Sequence, residues 1–183
     1  MEQVINNRNS FSLKKIFRDV LSYKDLLLIL AWRDYKVKYA QTALGFIWAF
    51  AQPIATLVIL FFVFSKVANV DTGGIPHPIY TQSGMVAWTY FAFLLNQAGT
   101  SIIGSQNMIK KIYFPRLIIP LSKALVGLID FLISFALLIG LMLYFQFTPS
   151  KNIIFLPLFI LITIVSGLGI GIWVSALTVK YRD

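Results

Sequence analysis

Ser105-Gln106-Asn107-Met108-Ile109-Lys110-Lys111-Ile112-Tyr113-Phe114-Pro115-Arg116 is the only strongly basic stretch lying between two long apolar runs. A run of about 20 apolar residues crosses a bilayer as a helix, and cytoplasmic loops collect Lys and Arg. The stretch therefore decides the class of fold, helices crossing a membrane, and the side this loop faces. Composition agrees. The 183 residues are 58% hydrophobic and 13% charged, with a mean hydropathy of +0.77, whereas a soluble domain carries about 25% charged residues. The formal charge of +9 does not point to nucleic acid, because the cations sit beside apolar segments rather than on a polar face. With no cysteine, a disulfide framework or thiolate metal site is impossible. The single His77, between Pro76 and Pro78, reads as a solvated loop residue.

Working outward, four spans are expected, at about residues 45–65, 79–103, 117–147 and 153–178. They make an all-α, polytopic helical bundle over 45–183, with the basic loop at 104–116 between the second and third. Gln52-Pro53 interrupts the first span, since proline removes a backbone donor and kinks a helix. The second is polar, with Thr81, Gln82, Ser83, Asn96, Gln97, Thr100 and Ser101. Its Trp88, Tyr90, Phe91 and Phe93 read either as an interfacial belt or as a wall that stacks sugar rings. The third, at 31 residues, must tilt or project. It contains Asp130, whose insertion penalty of about 3 kcal/mol is outweighed by the surrounding Leu, Ile and Phe. An acid there faces protein or water, and a structural bond inside the bundle is preferred to ion coupling. In the fourth, Pro157 fits the first turn, and Gly167, Gly169 and Gly171 with Ser166 and Ser175 suggest a small-residue packing face.

Residues 1–44 carry no signal-peptide pattern. Leu13, Ile16, Phe17, Val20 and Leu21 share one helical face, so an amphipathic helix is expected there. A second interface helix is expected over 24–41, although Arg33 and Lys36 project towards its apolar side. Its long cationic side chains are expected to snorkel to water. Fourteen of the sixteen Lys and Arg fall in the N-terminal segment, around the central loop and near residue 180. Only Lys66 and Lys151 fall in the opposite loops. This asymmetry places both ends of the chain and the basic loop in the cytoplasm.

No nucleotide-binding loop, metal-binding His-Glu pair or nucleophile elbow is present in the sequence. Arg33-Asp34-Tyr35-Lys36-Val37-Lys38-Tyr39, Gln41-Thr42-Ala43-Leu44-Gly45, Trp48 and Gln52-Pro53 resemble permease subunits of the type-2 ABC exporter family. So do Asn107, Ile109 to Arg116, Pro120-Leu121-Ser122, Asp130-Phe131 and Ala176 to Asp183. The resemblance covers about residues 23–183. It implies a homodimeric permease in the plasma (inner) membrane that exports lipid-linked polysaccharide of the O-antigen, teichoic acid or capsule type. ATP and Mg would sit on a separate cytoplasmic ATPase, with no cofactor in this chain and no catalytic residues.

The resemblance maps an interface helix onto Trp32, Arg33, Asp34, Lys36 and Lys38. It maps ATPase coupling onto Asn107, Ile109, Lys110, Lys111, Ile112 and Tyr113, and a polymer channel onto Trp48, Trp88, Tyr90 and Phe91. Members of the family have six spans, so four suggest a truncated or split copy. Export of a small amphiphile, or a non-transporting membrane anchor, are the alternative functions. The charge asymmetry makes a direct prediction. A cysteine at Thr72 or Ser150 should react with an impermeant thiol reagent added to intact cells, and one at Asn107 should not. Labelling at Asn107 alone would reverse the orientation.

Overall fold

The computed structural model describes residues 13–40, 47–111 and 113–180, and the described residues form helices and loops without strands. The helices are α1 (Leu13–Ser22), α2 (Lys24–Ala40), α3 (Ile47–Phe62), α4 (His77–Gly104), α5 (Gln106–Ile109), α6 (Ile118–Tyr144) and α7 (Leu156–Lys180). A π-helical turn, Val63–Val67, extends α3, and a 3₁₀ turn, Lys151–Phe155, leads into α7. The helix boundaries expected near residues 24, 41, 79 and 103 fall within two residues of those observed.

Among the described residues three helical segments are both long and apolar enough to cross a membrane: Ile47–Val67, Ile118–Tyr144 and Lys151–Leu177. The second expected span, α4, has the length, at 28 residues, but not the apolarity. Some of its polar residues go to the centre of the bundle, while Ser83, Thr89, Asn96 and Thr100 are exposed. Thr81, Gln82 and Ser101 are buried, and α4 packs along both α6 and α7. Several hydroxyls there are satisfied by their own helix: Thr89 Oγ1 donates to the Met85 carbonyl (2.7 Å) and Ser101 Oγ to that of Ala98 (2.8 Å). Such back-bonding removes the penalty of an unpaired donor in an apolar setting.

The main core joins Tyr90, Leu94 and Ala98 of α4 to Ala124, Phe131 and Leu138 of α6 and Leu168 of α7. Close approach is set by glycines. A Cβ on Gly171 would lie 2.6 Å from the Ala98 Cβ and 3.2 Å from the Leu95 carbonyl, and one on Gly167 would lie 2.9 Å from the Leu94 Cβ. Gly169 has nothing within 4 Å, so it is not part of that face. The helical repeat explains the correction. Residues 167, 171 and 175 are one turn apart, and residue 169 points away.

The helix expected to run to residue 147 stops at Tyr144. Gln146 takes a positive φ of 53°. The Phe147 N–H returns to the Met142 carbonyl (2.9 Å) and the Gln146 N–H to that of Leu143 (3.3 Å). These two bonds define a Schellman ending, here built without its usual glycine. Met142 and Phe147 both pack on the core, supplying the accompanying apolar contact. His77 opens α4 half-buried, with its Nδ1 shielded and unpartnered, rather than lying in a solvated loop.

Pro53 sits inside α3 without ending it. At the far end of that helix, Val67 is exposed and Asn69 takes a φ of 47°, which turns the chain towards Gly73-Gly74.

The glycine geometry gives a paired prediction. Gly171→Ala should destabilise the bundle by about 1–3 kcal/mol, the usual penalty for overpacking a tight contact. Gly169→Ala should be neutral or stabilising by up to about 1 kcal/mol, since alanine is the better helix former. Unfolding of the purified protein in detergent micelles distinguishes the two.

Candidate functional site

Asp130 lies near the middle of α6, and α2 supplies its partners. Lys38 Nζ pairs with Asp130 Oδ2, and the Tyr39 hydroxyl donates to Asp130 Oδ1. Two turns earlier on α6, Lys123 Nζ lies 2.9 Å from Asp34 Oδ2, an ion pair whose angle does not make it a hydrogen bond. Arg33 donates to Asp34 Oδ1 from Nε (3.1 Å) and Nη2 (2.8 Å). Burial first, then the hydrogen bond and charge of Asp130, push the Tyr39 phenol above its ordinary value.

These contacts set the register of the two helices. Leu30 meets Ile118 and Ile119, Asp34 meets Lys123, and Lys38 meets Asp130. Both chains therefore run the same way. At 1.5 Å per residue, Lys38 reaches about 18 Å along α6 from Ile118. So α2 runs lengthwise beside α6. Arg33 and Lys36, expected to snorkel, are exposed, whereas Lys38 turns to Asp130. The packed face of α2 mixes buried apolar residues, such as Leu30 and Ala31, with charged ones. Asp34, with its side chain only 11% exposed, and Lys38 face α6, while Leu28, Ile29 and Trp32 are exposed. Lys36 stays on the outer face, 5.3 Å from the Trp32 ring centroid.

The basic loop is built on the same pair of helices. Phe114 is buried with Leu30, Ile118 and Ile119, and Leu26, Leu27, Met108 and Ile109 pack around them. The expected coupling helix shrinks to one turn, Gln106–Ile109. Asn107 lies in that turn, and Ile112 lies outside the described residues. Ile109 is directed inward to the Phe114 cluster. Lys110, Lys111 and Tyr113 are presented outward, and Tyr113 is 95% exposed.

The four aromatic positions do not form one wall. Trp88 is 67% exposed, with Phe91 6.2 Å away between ring centroids, and Trp48 is exposed on α3. Tyr90 is only 3% exposed and sits in the core, its ring 5.2 Å from Phe131 and its hydroxyl 3.4 Å from the Ala124 carbonyl. It gets that close because Gly127 faces it, where a Cβ would lie 3.2 Å from the Tyr90 ring and 2.4 Å from Phe93. Sequence reasoning missed Tyr39, Lys123 and Phe114. No local signal ties Tyr39 to a carboxylate 91 residues away. Phe114 could have been suspected as the apolar residue after a Lys-Lys-Ile-Tyr run.

A profile of the ABC-2 type transporter family matches residues 25–183. The chain belongs to that family. Among curated relatives of this ABC-2 chain, an O-antigen export system permease protein of Klebsiella pneumoniae is 30% identical over 160 residues, covering 87% of this chain and 61% of the relative. An O-antigen export system permease protein of Myxococcus xanthus is 24% identical over 169 residues, covering 92% and 64% respectively. A polysialic acid transport protein of Escherichia coli is 25% identical over 146 residues, covering 75% and 55%. The ABC-2 chain thus spans about three-fifths of the length of the first of these relatives. It is a multi-pass membrane protein of a permease family.

The ion pair can be tested directly. Removing one partner of a buried pair typically costs about 3–5 kcal/mol, and the partial exposure of this one reduces the expectation to about 1–3 kcal/mol for Lys38→Met. The double variant Lys38→Met with Asp130→Asn should recover at least about 1 kcal/mol of that loss, the coupling typical of contacting residues. Additive losses in a double-mutant cycle would show that the two side chains do not interact.

Proposed function

We propose that this chain is the transmembrane part of an ATP-driven exporter of lipid-linked polysaccharide. The observation that carries the proposal is a turn held rigid at one end of an ABC-2 bundle. Phe114 anchors that turn between α2 and α6, and Lys110, Lys111 and Tyr113 project from it. An anchored loop that presents an exposed aromatic close after two cations is suited to a groove on a partner protein. The partner proposed is a cytoplasmic ATPase subunit, which would hold ATP and Mg. Two copies of the permease would enclose the cargo in the inner membrane, with the basic loop and both ends of the chain on the cytoplasmic side. The names of the relatives support polysaccharide as the cargo class.

One observation favours a second reading, export of a small amphiphile. A cavity of about 700 Å³ between α4, α6 and α7 has an almost wholly apolar lining that includes Phe135, Leu138, Met142, Phe159 and Ile160.

Coupling through the turn makes an ordered prediction. Tyr113→Ala should weaken co-purification of the ATPase by about 2 kcal/mol or more, near thirtyfold, as loss of an aromatic anchor does. Lys110→Ala should change it by under about 1 kcal/mol and mainly slow association in a salt-dependent way. In cells lacking the native permease but retaining the ATPase, Tyr113→Ala should depress surface polysaccharide more than Lys110→Ala. Equal effects of the two, lost together at high salt, would instead indicate binding to anionic lipid.

A further inference from the structure

A second, smaller cavity of about 150 Å³ lies where α2, α3, α4 and α6 meet. A water occupies about 30 Å³, so the space is several waters in size. One side of it consists of hydrogen-bond acceptors. Gln82 is 1% exposed; its Nε2 donates to the Ser134 carbonyl (3.1 Å), and its Oε1 is buried without a partner. Thr56 and Thr89 donate their hydroxyl protons to the carbonyls of Gln52 (2.8 Å) and Met85 (2.7 Å), which leaves their oxygens as acceptors. The Asp130 carboxylate completes this side, with Lys38 and Tyr39 already donating to it. The other side is hydrocarbon: Val86, Phe93 and Phe131.

This lining selects a chemistry. The buried Gln82 Oε1, which has no partner, calls for a ligand that donates. Lys38 already neutralises Asp130, so a cation gains little there, and an anion would meet acceptors. A neutral group with several hydroxyls and an apolar C–H face matches both sides. The rim is polar as well, since Gln52, Thr89 and Lys38 are exposed. A polar rim at the depth of Asp130 belongs against water or protein rather than lipid.

We propose that this cavity is a binding site for one neutral sugar ring, held through its hydroxyls by Gln82 and Asp130 and packed on Phe93. For the origin of the sugar, the cargo itself, the proposal rests on the export reading above. It moves cargo recognition from the exposed Trp48 and Trp88 to a cleft inside each bundle.

The test uses the full chain with its ATPase in lipid nanodiscs and hydroxyl-radical labelling of Met85, a buried residue on the cavity wall. Neutral methyl hexosides should suppress Met85 oxidation in a saturable way, and choline should not. Gln82→Leu removes the acceptor and should weaken the protection about tenfold, as loss of one buried hydrogen bond does. In cells, Thr89→Trp fills the cleft from its rim and should abolish surface polymer while the protein still inserts and retains its ATPase.

Met85 oxidation unaffected by every hexoside, or absent altogether, would mean a water-filled or closed cavity and would overturn the proposal. Equal protection by choline, undiminished protection in Gln82→Leu, or normal polymer from Thr89→Trp would overturn it too. Hexoside protection in a protein that displays no polymer in cells would support the site and refute the export reading instead.

Discussion

A carboxylate in the middle of an apolar helix must have a partner, and Asp130 obtains two from outside the bundle. Isolated in hydrocarbon it would be prohibitive; paired with Lys38 and Tyr39 it becomes the point at which α2 is fastened. Other contacts follow from that register. With Lys38 at Asp130, Asp34 falls beside Lys123 and Leu30 falls into the pocket made by Phe114, Ile118 and Ile119. The loop after α5 is shaped by that last contact. A single intramembrane charge thus sets the position of the surface that carries Lys110, Lys111 and Tyr113, 17 to 20 residues earlier in the chain.

The same logic explains why α2 was the hardest element to read. An amphipathic helix announces itself by apolar residues on its packed face. Here that face carries Asp34 and Lys38 alongside Leu30, and the apolar side chains of Leu28, Ile29 and Trp32 point outward. Sequence periodicity assigns such a helix the wrong side, because burial is driven by charge pairing with a segment some 90 residues away. What could be read from the chain alone was what depends on local pattern: the helical class, the near-correct ends of α2 and α4, and the basic loop. The glycine face of α7 was read one residue type too generously, since composition cannot separate Gly169 from the i, i+4 pair Gly167 and Gly171. The end of α6 was missed because its Schellman turn uses Gln146, which carries none of the usual signal of glycine. Of the site, Asp130 and the exposed Lys110, Lys111 and Tyr113 were legible. Tyr39, Gln82 and the inward turn of Ile109 were not, for each depends on what lies opposite.

The bundle divides its polar and apolar work between two cavities on either side of Tyr90 and Phe131. Both rings line both spaces. Towards α2 and α3 the lining is rich in acceptors; towards α7 it is hydrocarbon. The partition is held by Gly127, whose missing side chain lets Tyr90 and Phe93 press against α6. A cargo with a polar head and a lipid tail has two such halves.

The polarity of α4 has a further consequence, for biogenesis. This helix is the hub of the bundle, yet it is less apolar than the three long helical segments Ile47–Val67, Ile118–Tyr144 and Lys151–Leu177. Its partners, α6 and α7, are both synthesised after it. At about 5–20 residues per second, the 76 residues between Gly104 and Lys180 take the ribosome several seconds. Throughout that interval Thr81, Gln82 and Ser101 of α4 lack the helices that bury them in the finished bundle. Release into the bilayer is then a joint event, in which α4 leaves as part of a cluster already closed by the two glycines of α7.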